Sequence, residues 1–347
     1  MNSNEVFRRI QLIRFPLIFF VILLHANVDI KNDSNQLDYY IRYLLSDGMA
    51  SVAVPLFFFI SGFLYFRNFS LSGKSYSKKL KSRSKSLLIP YFFWNSIVLI
   101  YFALAQNIEY TSSFMSGVNK NILDYGLFDF VNSYIGINGY PIAFHFWFIR
   151  DLIILVILSP MIYFVIRIRS ISIVVLISLF VLWFIYDDKF LILSGKSIFF
   201  FYLGGWIVHW YNERLFIYVD KLFFAILVAY ITFLIFNVLI FNSSNYYLIH
   251  NTNIFIGVFL FLGVSKYIKG NVEVFFLKLS YSSFFVYATH EPLLTINKRI
   301  LTKVFSISNG FYIYITSATL TLFLCLFLYF TVKKIAPNLL NFVGGSR

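Results

Sequence analysis

Ten apolar runs separated by short basic breaks constrain this chain more than any other feature. They lie at about 10–28, 49–66, 87–106, 145–166, 171–186, 197–211, 222–241, 252–268, 279–296 and 311–332. Each is close to the ~20 residues that a helix needs to cross ~30 Å of hydrocarbon, with 171–186 and 197–211 the shortest. In lipid the backbone must satisfy its own polar groups, which a helix does within one segment. The expected fold is therefore all-α: a polytopic integral membrane protein of about ten transmembrane helices. Composition agrees, since 59% apolar and 13% charged residues leave too little polar surface to cover a globule in water. A net charge of +14 would suit a nucleic-acid binder, but such a protein gathers its cations on one solvated face. Here they fill the breaks between spans, so the bilayer, not nucleic acid, is the expected partner.

Lys and Arg in the breaks set the direction. Nineteen fall on the side of the N-terminus and eight on the other, with Arg14 and Arg150 inside spans. That excess predicts both termini in the cytoplasm, although Lys298, Arg299 and Lys303 on the far side run against it. The first run is too long and too polar, with Arg14 and His25 inside it, for a cleaved signal peptide. Only about fifteen residues follow the last run, so one membrane domain over 1–347 is expected, with no soluble C-terminal domain. The longest outer connection, 107–144, is long enough for a lid or short re-entrant helices. The single cysteine, Cys325, lies within the last run and reads as a small helix- or lipid-facing residue.

Ionisable residues inside hydrocarbon cost about 2.5–3.5 kcal/mol each on insertion scales and therefore need a reason. Arg14 and His25 stand eleven residues apart, so at 100° per residue they share one face of the first span, separated by ~16 Å of helix rise. One face thus presents a fixed cation toward the N-terminal side and, three turns on, a group that exchanges protons near neutrality. The bland alternative is a snorkelling arginine and a histidine at the helix end. Arg150 and Asp151 are neighbours that point about 100° apart, which predicts separate partners, with Arg150 facing the interior and His145 and Trp147 near the outer interface. His290 and Glu291 precede Pro292, where the helical ladder loosens beside an acid and an imidazole; this suggests a cavity. His209 reads as an interface residue and His250 as a loop residue. No HExxH, i, i+4 histidine pair or acidic ligand cluster is present, so no metal is expected.

RFPLIFFVILLH, an arginine followed at the eleventh position by histidine, resembles the Arg-x10-His signature of the acyltransferase 3 family of membrane O-acyltransferases. AVPLFFFISGFLYF is similar to that family's second span, KKLKSRSKSLLIPYFFWN to its basic loop and third span, HFWFIRDLIILVILSP to its Trp-Phe-x-x-x-Leu span, and LSYSSFFVYATHEPLL to a late span ending in Tyr-x-x-His. The resemblance covers nearly the whole chain. It implies transfer of an acyl group, usually acetyl from cytoplasmic acetyl-CoA, to a sugar of O-antigen, capsule or exopolysaccharide at a bacterial inner membrane. It further implies donor and catalytic roles for Arg14 and His25, a donor-side cation at Arg83, and pocket positions at Ser61 and Gly62. Some members carry a soluble esterase-like domain after the spans, and Phe15 stands where a small residue is often found.

Transfer from a thioester to a hydroxyl needs a base at the hydroxyl and stabilisation of the developing oxyanion. His25 suits the base, with Asp29 at i+4 either orienting its ring or serving as a plain loop residue. Arg14, with Arg83 at the entrance, would hold the phosphates of coenzyme A while its pantetheine arm spans the distance to His25. Trp147, Arg150, His290 and Glu291 would line the acceptor side, open to a lipid-linked or surface polysaccharide. The competing reading is a polysaccharide transporter or flippase, which needs neither an aligned Arg–His pair nor coenzyme A.

Overall fold

Each of the ten apolar runs is mostly helix over its described residues in the computed structural model, which describes residues 2–27, 36–109, 120–186, 189–190, 192–240, 243, 246–305 and 309–345. Asp29 and the middle of the 107–144 connection lie outside the described residues. Helix α1 (Ser3–Ala26) begins where the Asn2 side chain accepts the Asn4 amide at 2.7 Å, and it runs unbroken through Pro16. Helix α2 (Gln36–Tyr43) continues through a π-turn and a 3-10 turn into α3 (Ala53–Phe66), and α4 (Gly73–Arg83) continues through a π-turn into α5 (Ile89–Asn107). The described part of the long connection forms α6 (Leu127–Ile135), where the Asp129 carboxylate accepts the Gly126 amide at 2.9 Å and pairs with Lys120 at 2.6 Å. Then follow α7 (Trp147–Ile157), α8 (Ser159–Ile166) and α9 (Arg169–Val181). A two-residue ribbon pairs β1 (Lys189–Phe190) antiparallel with β2 (Leu193–Ser194) ahead of α10 (Gly195–Tyr211). The chain closes with α11 (Arg214–Lys221), α12 (Phe223–Leu239), α13 (Tyr246–Val264), α14 (Gly270–Ser280), α15 (Ser283–Arg299), α16 (Gly310–Ile335) and α17 (Pro337–Val343).

The architecture is the all-α, polytopic one that the apolar runs imply. Among the described residues, five helices are long and apolar enough to cross a membrane, and seven if the bent pairs α7–α8 and α11–α12, broken at 63° and 70°, each count as one span. The other three runs belong to α1, α10 and α15. Helix α1 is polar in its first half, with Arg8, Arg9 and Arg14, while α10 and α15 have 17 residues each. The radial distribution is inverted relative to a water-soluble globule. Phe224, Leu239 and Phe323 are about seven-tenths exposed on the outer faces, whereas Asp151, His290 and Asn253 are wholly buried. Lipid accepts the former, and only a protein-filled interior accepts the latter.

Helix α1 sits centrally, packed against α3, α13, α14, α15 and α16. Its N-terminal half is tied by ions. Arg9, one of the nineteen cations counted between the apolar runs, is 1% exposed, bonded to Asp220 at 2.8 and 2.9 Å and to Ser265 at 2.8 Å. A buried guanidinium needs a complete set of partners, and α11 and α13 supply them. Arg8–Glu273 and Arg67–Glu213 ion pairs lie at the same end. His250, expected in a loop, lies in the first turns of α13 beside Tyr246, its ring nitrogen 3.1 Å from the phenol oxygen.

Helices α3 and α10 make the closest crossing. A Cβ on Gly62 would stand 2.0 Å from the Phe201 carbonyl oxygen, and one on Gly204 would stand 2.1 Å from that of Phe59. Two glycines facing opposite backbones let the helices touch main chain to main chain, the usual way membrane helices associate without a hydrophobic driving force.

Candidate functional site

The sequence-derived residues resolve into two groups joined by α1. The first surrounds Arg14. Arg14 is partly buried, and its guanidinium feels the like charge of Arg83. Arg83 lines a small recess with Ser61, Tyr65, Leu87, Leu152, Val156 and Phe201. The Tyr65 hydroxyl is fixed at 2.9 Å from the Ser159 hydroxyl, and Lys79 of α4 donates to the Tyr65 and Arg67 carbonyls, which ties the basic helix to the end of α3. Neither Arg14 nor Arg83 forms an ion pair among the described residues. Two partly buried like charges raise each other's energy, and an anion placed between them relieves both. Gly62 does not line this recess. It is committed to the α3–α10 crossing, where any side chain would strike Phe201.

The second group surrounds His25, near the other end of α1. Its ring lies 5.6 Å from that of His290 and 5.4 Å from Phe144. His145, from the 3-10 turn Phe144–Phe146, stands 5.0 Å from His290, so three imidazoles from α1, α15 and the start of α7 converge. His290 Nδ1 lies 2.6 Å from the Tyr287 carbonyl three residues back. A carbonyl only accepts, which places the proton on Nδ1 and leaves the Nε2 lone pair available. The Tyr287 hydroxyl in turn donates to the His145 carbonyl, fastening the turn. Glu291 is buried beside His290 and accepts the Thr295 hydroxyl at 3.3 Å. Lys298 donates to the carbonyl of His25 itself at 2.9 Å. Trp147 does not join this cluster; it is partly buried and packs on Phe58 of α3, with ring centroids 6.2 Å apart.

Arg150 and Asp151 depart from expectation. They pair with each other, Arg150 donating through Nε and Nη2 to one carboxylate oxygen at 3.0 and 2.9 Å. Arg150 also donates to the carbonyls of Ile135, Gly136, Gly139 and Ile192, at 2.8–3.4 Å. The other Asp151 oxygen accepts the Ser194 amide and the Ser197 hydroxyl. This pair is a staple that holds the end of α6 and the β1–β2 turn against α7. The directions of neighbouring Cβ atoms did not forbid it, because a long arginine can fold back onto the next residue when surrounding carbonyls take its remaining donors.

Sequence reasoning missed His145 and Lys298 as members of the His25 cluster. His145 had been placed at an interface with Trp147. Lys298 carried a signal, a cation on the side where few were expected.

The sequence model of the acyltransferase 3 family, described as an acyltransferase domain, matches residues 7–330. The chain belongs to that family. It is similar to the succinoglycan biosynthesis protein ExoH of Rhizobium meliloti (strain 1021), at 25% identity over 168 residues, 46% of this chain and 43% of that protein. The aligned part thus spans less than half the length of that relative. No solved structure matches the chain. Among the described residues, no group of three His, Cys, Asp or Glu side chains is placed to hold a metal ion.

Proposed function

We propose that this acyltransferase-family protein is an O-acyltransferase of the bacterial inner membrane, moving acetyl from cytoplasmic acetyl-CoA to a hydroxyl of a cell-surface polysaccharide sugar. One observation carries the reading: a single helix holds Arg14 within electrostatic reach of Arg83 and, ~16 Å along its axis, His25 against His290. The Arg14–Arg83 end, next to the basic helix α4, suits the phosphates of coenzyme A, and an extended pantetheine arm is long enough to carry the thioester toward His25. Ser61 and Tyr65 offer hydroxyls to the same donor. The succinoglycan biosynthesis role of the Rhizobium relative points to a polysaccharide acceptor.

At the other end His25 takes the proton of the acceptor hydroxyl as its oxygen attacks the thioester carbonyl. Collapse of the tetrahedral intermediate forms the ester, breaks the C–S bond and returns the proton from His25 to the leaving thiolate. His290, with its free Nε2, orients the hydroxyl, and Glu291 belongs to the wall of this end. Arg150 serves the reaction only by holding the surrounding loops.

Mass spectrometry of the surface glycan from cells with and without the protein tests this directly. An acetyl increment that requires the protein and vanishes in His25→Ala is expected. A glycan of unchanged acetylation but altered export would favour a transporter and sink the proposal.

A further inference from the structure

The lysine on the His25 carbonyl is unusual in its placement. Lys298 sits in the last turn of α15, partly buried, and with Arg299 and Lys303 forms a basic run at the end of the bundle opposite Arg8 and Arg9. A membrane protein oriented by its cations keeps that end poor in lysine and arginine, so a basic run there needs another cause. The acid on its own helix, Glu291, spends one oxygen on Thr295 and is a charge neighbour of Lys298 without touching it as an ion pair among the described residues. The ammonium has three donors, and among the described residues its hydrogen bond goes to the His25 carbonyl. Arg42, also buried at this end, is already engaged with Asn27, two residues beyond His25.

We propose that Lys298 is an anion-binding subsite of the acceptor, so that the acceptor is an acidic saccharide carrying a carboxylate or a phosphate. The proposal rests on the acyl-transfer reading and adds the class of acceptor to it. The geometry is economical: one ammonium fixed to the backbone of His25 holds the anion and sets its distance from the imidazole. A sugar gripped there by its acidic group presents its neighbouring hydroxyls toward His25 and His290. Each ammonium–anion contact is a charge-assisted hydrogen bond, stronger than a neutral one and lost when the charge is removed.

The rival explanation is that Lys298 only caps the C-terminal end of α1, where a cation suits the helix dipole. Two substitutions separate the two. Lys298→Gln keeps a donor for the His25 carbonyl but removes the charge, and Lys298→Arg keeps both. The full-length protein in phosphatidylcholine nanodiscs is titrated with radiolabelled glucuronate, glucose 1-phosphate and glucose, with acetyl-CoA binding as the control for an intact fold. The wild-type protein is expected to bind at least one acidic sugar more tightly than glucose. Lys298→Gln should weaken that binding about tenfold or more, leave glucose unchanged, and be largely restored in Lys298→Arg. Comparison of the two acids tells carboxylate from phosphate. Failure of both acids to bind better than glucose, or equal binding by Lys298→Gln, overturns the subsite. Lys298-dependent anion binding in a protein that never transfers acetyl would leave the subsite standing and defeat the acyl-transfer reading instead.

Discussion

Replacing Arg150 by alanine separates a structural role from a substrate-binding one. Asp151 is wholly buried, and its carboxylate shares one oxygen with Arg150 and the other with Ser194 and Ser197. In Arg150→Ala the carboxylate keeps only the latter two donors and loses its counter-charge in a low-dielectric interior. Removing one partner of a buried pair costs about 3–5 kcal/mol, because the remaining charge is uncompensated. The carbonyls of Ile135, Gly136, Gly139 and Ile192 also lose their common donor, which loosens α6 and the β1–β2 turn. Spread over the unfolding entropy of a chain this long, that cost lowers the melting temperature by roughly 4–7 °C. The assay is thermal unfolding of purified protein in detergent, run beside Arg150→Ala with Asp151→Asn, which removes the stranded charge and should recover about half of the loss. A melting temperature unchanged in Arg150→Ala, with a raised KM for the acceptor, would refute the staple and return Arg150 to the acceptor side.

Other substitutions probe other links. Gly62→Ala or Gly204→Ala forces α3 and α10 apart by driving a methyl into an opposing carbonyl, and should cost about 1–3 kcal/mol or more in the same unfolding assay, whatever the ligand. Arg9→Met leaves Asp220 without its bidentate partner and should cost several kcal/mol, while Arg9→Met with Asp220→Leu should be much milder. Arg83→Gln should weaken acetyl-CoA binding about tenfold or more, with the effect shrinking at high salt as screening replaces the lost charge. His290→Phe keeps the ring packing against His25 and His145 but removes both the Nε2 acceptor and the Nδ1 donor to the Tyr287 carbonyl; it should lower kcat and cost about 1 kcal/mol in stability.

The helical fold was legible because lipid leaves few options: the described residues of every apolar run are mostly helical, although some runs are broken or bent. The pairing of Arg14 and His25 on one face was legible for a related reason, since it depends on the periodicity of one helix and on no tertiary contact. What the sequence hid was long-range. The partners of Arg9 come from residues more than two hundred positions away, so a loop cation and a buried ion-pair member look alike in the primary structure. His145 and Trp147 read as equivalent interface residues, yet one turns toward His290 and the other packs on Phe58. Gly62 carried a pocket expectation through resemblance, while its true constraint, the facing Phe201 carbonyl, belongs to a helix far along the chain. The Arg150–Asp151 pair eluded a rule about Cβ directions because arginine reach and surrounding carbonyls decide it.

The central claim divides the labour on α1: Arg14 holds the donor and His25 moves the proton. Reconstituted protein given labelled acetyl-CoA and the host's own glycan measures both at once, by donor binding and by acetyl transfer. Arg14→Ala should weaken acetyl-CoA binding, whereas His25→Ala should bind acetyl-CoA as the wild-type protein does and lose about 10²–10⁴-fold in transfer. Transfer at the wild-type rate by His25→Ala would contradict the account.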